Sequence, residues 1–179
     1  GEGGAIASTN PELIERCKTF RNHGINVDHV TRASKDTWFY EMQDLGFNYR
    51  LSDIHASLGS SQLSQLESNV ERRNEVAKIY ERAFQQNDAV TPLNTAHGAT
   101  NAFHIYVVLL DIDKLKVDRS EVFTALRAEN IGVNVHYIPV PWHPYYLNQG
   151  YAPGQWPVAE NAYERMITLP VWPGMTDAD

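Results

Sequence analysis

The sequence lacks the features that mark several large classes of protein. Cys17 is the only cysteine among 179 residues, so an internal disulfide is excluded and a reducing cytoplasm is the expected location. No apolar run approaches the roughly 20 residues that a membrane-spanning helix needs. The formal net charge of −7 argues against a general nucleic-acid binder, for which a basic face is typical. The composition therefore predicts a globular cytoplasmic protein that binds neither nucleic acid nor membrane.

Motifs of familiar catalytic centres are also missing. The seven histidines include no pair spaced as His-x-x-x-His and no cluster with cysteine, so no metal site is expected. No Gly-x-Ser-x-Gly sequence is present to carry the serine of a hydrolase. The run Gly1-Glu2-Gly3-Gly4 lacks the spacing of a dinucleotide-binding or phosphate-binding loop. Any chemistry must therefore come from less regular clusters of residues.

Both ends of the sequence are abrupt. It opens on Gly1 with neither a methionine nor a signal peptide, and Thr176 is placed to cap a helix that does not follow. These features predict a fragment of a longer protein that is truncated at both ends.

Local patterns predict helices and strands in alternation, which is typical of an α/β or α+β fold. A cap signal at Asn10 and Pro11 predicts one helix, and Ser52 begins a long helical region that should break near residues 66–70. Asp118 and Glu121 have the spacing of a capping box. Strands are predicted at residues 4–9, 103–112, 133–138 and 167–172.

A change in composition predicts a domain boundary. Asn, Thr, Pro, Gly and Ala dominate residues 87–101, in contrast to the helical pattern before them. This change separates a first domain, residues 1–86, from a second domain, residues 87–179.

One polar cluster lies directly before the helix that Ser52 begins. Asn48, Tyr49 and Arg50 bring an amide, a phenol and a guanidinium to a helix N-terminus, where an anion such as phosphate is favoured. The alternative is that these residues only cap the start of the helix.

A second cluster is rich in histidine and aromatic residues. His136 and Tyr137 end the strand predicted at 133–138, and His143 follows among prolines and tyrosines. Such a rim suits stacking on a base or a sugar ring. The alternative is a hydrophobic corner beneath a loop.

Four spaced motifs occur in order over essentially the whole chain. They are Gly1-Glu2-Gly3-Gly4, Arg21-Asn22-His23-Gly24, Gly46-Phe47-Asn48-Tyr49-Arg50-Leu51-Ser52-Asp53-Ile54 and Val135-His136-Tyr137-Ile138-Pro139-Val140. Together these motifs resemble those of the DegT/DnrJ/EryC1/StrS family of sugar aminotransferases. A further run, Tyr40-Glu41-Met42-Gln43-Asp44-Leu45-Gly46-Phe47, is similar to members of the pseudaminic-acid pathway, which aminate a UDP-linked deoxyhexose with glutamate as donor.

The resemblance implies the C-terminal part of a fold-type-I transferase that uses pyridoxal phosphate (PLP). The large PLP-binding domain would end near residue 67, with long interdomain helices up to residue 86. The rest would be a small α+β C-terminal domain, cut at its end. In the family, the lysine that holds PLP precedes the Gly-Glu-Gly-Gly run by a few residues. It would therefore lie upstream of Gly1, and neither Lys18 nor Lys35 stands in its context.

The resemblance also implies roles for the first cluster. Asn48 matches an asparagine that binds the PLP phosphate of the neighbouring subunit, which implies a homodimer with shared active sites. Arg50, with Tyr49 beside it, matches a position close to the phosphates of the nucleotide-sugar substrate.

In the second cluster, His136 and Tyr137 match the substrate side of the site. Many relatives carry histidine where this sequence has Pro141, and His143, two residues further on, is the candidate replacement. Without its lysine, the chain alone is expected to be inactive.

Two other functions remain open from the sequence. Some relatives replace the lysine with histidine and act as PLP-dependent sugar dehydratases, so the deciding residue would lie outside this sequence. A non-catalytic module that retains the scaffold for dimerisation or ligand binding is the second alternative.

Overall fold

The computed structural model describes residues 3–93, 96, 98–177 and 179, and the chain divides into two compact units. Unit 1 comprises Gly1–Ser64 and unit 2 comprises Gln65–Asp179. No helix in the described ranges is both long enough and apolar enough to cross a membrane.

The described residues of unit 1, from Gly3 onward, contain three helices joined by long loops. The predicted cap signals at its first and last helices are confirmed. The Asn10 side chain accepts hydrogen bonds from the backbone N–H groups of Glu12 and Leu13, and the Ser52 side chain accepts one from the N–H of His55. The helices are α1 (Pro11–Phe20), α2 (His29–Ser34) and α3 (Asp53–Leu63).

Unit 2 is built around a three-stranded antiparallel sheet in the order β1-β2-β3. Asp118 and Glu121 form the predicted capping box at the start of one of its helices. The strands are β1 (Val90–Pro92), β2 (Tyr106–Leu110) and β3 (Met166–Leu169). The helices are α4 (Leu66–Phe84), α5 (Arg119–Ala128), α6 (Pro144–Leu147) and α7 (Pro157–Arg165), with a 3-10 helix at Val140–Trp142.

The hydrophobic core of unit 2 lies where α4, the sheet and the residues after α5 meet. Alternate residues of the central strand β2 point into it, which is the burial pattern expected for a strand with one covered face. Buried members of this core are Ala77, Phe103, Tyr106, Val108, Leu110, Val133 and Ile167.

Two predicted strands are wrong. Residues 4–9 form no strand, and the described part of unit 1 contains none with which they could pair. Residues 133–138 form a single bridge, in which Asn134 pairs with Thr168 of β3. Pro139 and Pro141 follow, and proline nitrogens cannot donate the hydrogen bonds that a longer ladder would need.

The units divide at a different place from the predicted domain boundary at residues 87–101. The helical region breaks between Leu63 and Leu66, and α4 belongs to unit 2 because its Val76 and Ala77 are buried there. The division after Ser64 lies close to residue 67, where the resemblance places the end of the large domain.

Candidate functional site

The first candidate cluster lies on a loop of unit 1 whose backbone is fixed to the end of α1. The Phe47 N–H donates to the Phe20 carbonyl at 2.8 Å, and the His23 N–H donates to the Phe47 carbonyl at 2.9 Å. Next along the loop, the Tyr49 N–H donates to the Arg21 carbonyl at 2.9 Å. These bonds set the direction of residues 48–50.

Two glycines allow this loop to approach the end of α1. Gly24 is buried, with φ at +70°, and a Cβ atom there would lie 1.7 Å from the carbonyl oxygen of Asp44. A Cβ atom on Gly46 would lie 2.1 Å from the nitrogen of Gly24. Any larger residue would force the two segments apart.

Aromatic packing supports the same arrangement. The rings of Phe47 and Tyr49 stack at 5.1 Å between centroids, with an angle of 12° between their planes. The ring of Phe20 contacts Phe47 edge to face at 5.3 Å. The Tyr49 ring therefore packs against Phe47, although the residue remains 65% exposed.

Asn48 and Arg50 flank Tyr49, and both are exposed. The Asn48 amide makes no hydrogen bond with any residue that the structure describes, so it is free to bind a ligand. One guanidinium nitrogen of Arg50 (Nη1) donates to Asn22 Oδ1 at 2.7 Å, which orients the guanidinium. Asn22 is bridged to Asn48 through the backbone and therefore belongs to the cluster. In the sequence, the Arg21-Asn22-His23-Gly24 motif is the signal for Asn22, although the motif alone indicates no role for its side chain.

The start of α3 follows this cluster directly. The cap at Ser52 satisfies one N–H group of the first turn, and its hydroxyl also lies 3.0 Å from Nδ1 of His55. Asp53 places a carboxylate in the same turn. The start of α3 is therefore capped by Ser52, and Arg50 places a positive charge two residues before the cap.

In unit 2, His136 and Tyr137 are brought together. Their rings meet edge to face at 4.6 Å. His136 is half-buried and Tyr137 is 72% exposed. His136 Nδ1 lies 2.9 Å from the hydroxyl of Thr168, and Nε2 lies 3.4 Å from the amide nitrogen of Asn134. Neither Asn134 nor Thr168 was identified from the sequence.

His143 is not joined to this pair by a hydrogen bond or ring contact in the described residues. It is exposed and serves as the N-cap residue of α6, with its carbonyl accepting from the N–H groups of Tyr146 and Leu147. Pro141 lies in the 3-10 helix between them. Many relatives carry histidine at the position of Pro141, and the proposal that His143 replaces it stays a prediction.

The described residues contain no group of three histidine, cysteine, aspartate or glutamate side chains placed to hold a metal ion. The cluster in unit 1 instead offers groups that suit a phosphate, as the Asn48 role toward PLP and the Arg50 role toward the substrate would both require. The unpaired Asn48 amide offers N–H donors, and Arg50 offers a fixed positive charge beside it.

The family model for the DegT/DnrJ/EryC1/StrS aminotransferases matches residues 1–179. An uncharacterized protein of Methanocaldococcus jannaschii is 42% identical over 182 residues. The spore coat polysaccharide biosynthesis protein SpsC of Bacillus subtilis is 40% identical over 183 residues. Each match covers 100% of this chain and 47% of the relative, so the chain spans about half the length of these curated relatives.

A third relative has a named activity. The UDP-4-amino-4,6-dideoxy-N-acetyl-beta-L-altrosamine transaminase of Campylobacter jejuni is 38% identical over 138 residues, covering 77% of this chain and 35% of the relative. Among solved structures, PseC of Helicobacter pylori, an aminotransferase of pseudaminic acid biosynthesis, is similar with a TM-score of 0.80 at 28% identity. Spr1654 of Streptococcus pneumoniae, in its PMP form, gives 0.82 at 25% identity. These matches cover 96% and 95% of this chain and 44% of each solved chain.

Proposed function

Because the chain belongs to the DegT/DnrJ/EryC1/StrS aminotransferase family, we propose that it is part of a PLP-dependent sugar aminotransferase. The enzyme transfers an amino group from glutamate to the keto carbon of a nucleotide-linked deoxysugar. The named transaminase of Campylobacter jejuni and the polysaccharide biosynthesis protein of Bacillus subtilis support this substrate class. Its product serves the biosynthesis of cell-surface or secondary-metabolite sugars.

The single observation that carries the proposal is the cluster of Asn22, Asn48 and Arg50. Two exposed side chains with N–H donors stand at the start of α3, and the 2.7 Å bond from Arg50 to Asn22 holds the guanidinium in place. A bound phosphate needs such an arrangement of positive charge and N–H donors.

Asn48 would hold the phosphate of PLP, and Arg50, with Tyr49, would contact the phosphates of the nucleotide sugar. When bound, PLP supplies the electron sink for the transfer, while this chain supplies binding and orientation. His136, Tyr137 and His143 would line the sugar side. Since Asn48 is exposed, we infer that it serves the PLP of a neighbouring subunit, in a homodimer with shared active sites.

The lysine that holds the cofactor is assigned to a part of the enzyme outside this chain. Lys18 forms an ion pair with Glu15 at 2.6 Å on the polar side of α1, and its side chain is 56% exposed. Lys35 is the C-cap residue of α2. Neither has the surroundings of a cofactor lysine. We place the enzyme in the cytoplasm, where Cys17 stays a free thiol.

The test is steady-state kinetics of the complete enzyme with the substitution Arg50→Ala. Loss of a charged hydrogen-bonding partner should raise KM for the nucleotide sugar about tenfold or more, with little change in KM for glutamate. Lys35→Ala is the matched control, because it removes one positive charge from unit 1 outside the cluster. Equal effects of Arg50→Ala on both substrates would overturn the phosphate role. If the unsubstituted enzyme transfers no amino group, the proposed activity itself is wrong.

A further inference from the structure

Thr168 is buried, with 5% of its surface exposed, and carries a hydroxyl group. It lies on β3, where its backbone pairs with Val107 of β2 and with Asn134. Its hydroxyl oxygen lies 2.9 Å from Nδ1 of His136. Since a buried hydroxyl without a partner is costly, this contact matters for both side chains.

The amide of Asn134 has a defined orientation. Its Oδ1 accepts a hydrogen bond of 2.8 Å from the backbone N–H of Val135, a group that can only donate. The amide nitrogen Nδ2 therefore points the other way, toward Nε2 of His136 at 3.4 Å. The hydrogen-bond network thus resolves which end of the amide faces the imidazole.

The tautomer of His136 follows from this orientation. Two donors cannot face each other, so Nε2 carries a lone pair and accepts from the Asn134 amide. In the neutral imidazole the proton then sits on Nδ1, where it is donated to the hydroxyl of Thr168.

We propose that Thr168 and Asn134 are positioning residues that hold His136 as a hydrogen-bond acceptor toward the substrate. The inference rests on the proposed function, which places His136 at the sugar side of the site. At 3.4 Å, the hydrogen bond from the Asn134 amide to His136 Nε2 is long and therefore weak. A substrate group that donates to Nε2 at a shorter distance displaces this amide. His136 therefore selects a hydroxyl or amide N–H group of the sugar, and a phosphate oxygen finds no donor at Nε2.

Tyr137 shares this arrangement through its ring contact with His136, at 4.6 Å and an angle of 83°. Because the imidazole contacts the phenol ring, holding the imidazole in place also restricts one side of this exposed ring. The buried Thr168 thereby influences half-buried His136 and exposed Tyr137 without touching the substrate itself.

The tautomer can be measured by long-range ¹H–¹⁵N correlation of the imidazole in the ligand-free enzyme, at a pH where His136 is neutral. His136→Gln identifies the signals by their loss. The unsubstituted protein should show Nδ1–H. Asn134→Asp places a carboxylate at Nε2 and should move the proton there, whereas Thr168→Val should reduce the Nδ1–H population and Thr168→Ser should restore it. An Nε2–H tautomer in the unsubstituted protein, or one tautomer unchanged in Asn134→Asp and Thr168→Val, would overturn the proposal.

Kinetics test the consequence for the substrate. Thr168→Val should raise KM for the nucleotide sugar about three- to tenfold, as expected for one neutral hydrogen bond, and Thr168→Ser should restore it. An unchanged KM in Thr168→Val contradicts the acceptor role. Because the tautomer is read without substrate, its failure is distinguishable from failure of the aminotransferase activity.

Discussion

The two units of the chain are stabilised in different ways. Every buried hydrophobic residue among the described positions lies in unit 2, from Val76 to Met175, whereas in unit 1 only Gly24 is buried. Unit 1 keeps its shape through backbone hydrogen bonds, close glycine contacts and aromatic pairs. The cluster proposed to bind phosphate therefore depends on local backbone geometry, while the histidine cluster depends on a packed core.

The core of unit 2 should show the largest response to substitution. Ile167 is 1% exposed, and Ile167→Ala should lower the free energy of unfolding by about 2–5 kcal/mol, because it leaves a cavity. Ile54 of unit 1 is 83% exposed, so Ile54→Ala should change it by less than about 0.5 kcal/mol. Denaturant unfolding of the two variants measures both changes in the free energy of unfolding. A loss in Ile54→Ala as large as that in Ile167→Ala would show that the Ile54 side chain is covered in solution.

The geometry of unit 1 should respond to one glycine. Gly24→Ala places a methyl group against the Asp44 carbonyl in a left-handed conformation, so we expect a loss of about 2 kcal/mol or more and displacement of residues 43–49. Amide hydrogen exchange of that loop measures the effect.

Gly59→Ala is the control for this substitution. Apart from its chain neighbours and the backbone of its own helix, no described atom lies within 4 Å of its added methyl group, and alanine favours the α3 helix by up to about 1 kcal/mol. Loop protection that survives in Gly24→Ala would mean that the close approach of the two segments does not hold the cluster in place.

A smaller effect is expected from a buried hydroxyl in unit 2. Tyr106 is 3% exposed and its hydroxyl has no hydrogen-bond partner in the described residues. Burial, reinforced by Glu81 and Tyr80, raises the pKa of Tyr106 from 10.0 to about 12. Because this phenol ionises more readily in the unfolded chain than in the folded protein, its ionisation leaves the free energy of unfolding unchanged below pH 10 and lowers it as pH rises from 10 to about 12.

Tyr106→Phe should remove this alkaline loss. At pH 7 it should be neutral or should stabilise the fold by about 1 kcal/mol, because an unpaired buried hydroxyl is removed. Thermal unfolding at pH 7 and pH 11 checks both parts. A loss of several kcal/mol at pH 7 would show that the hydroxyl has a partner in solution.

The sequence predicted helix caps better than it predicted the pairing of strands. The caps at Asn10 and Ser52 and the box of Asp118 with Glu121 are confirmed, since each depends on residues within one turn. The strand predicted at residues 133–138 failed, because alternation of side chains does not reveal whether a partner strand is present.

The candidate site shows the same limit. The sequence points to Asn48 and Arg50 because they lie two residues apart, directly before a predicted helix start. Asn22 lies 28 residues from Arg50, and Thr168 lies 32 residues from His136, so their contacts arise only from the fold. Spacing alone carries no signal for such pairs.

The most direct test of the account is the affinity of the complete enzyme for PLP in the variant Asn48→Ala, followed by the absorbance of the bound cofactor. We predict that affinity falls about tenfold or more, because a hydrogen bond to a charged phosphate is lost. Asn148→Ala, in the exposed end of α6, is the matched control and should leave affinity unchanged. Unchanged PLP affinity in Asn48→Ala would contradict the claim that unit 1 supplies the phosphate-binding residues of a PLP-dependent sugar aminotransferase.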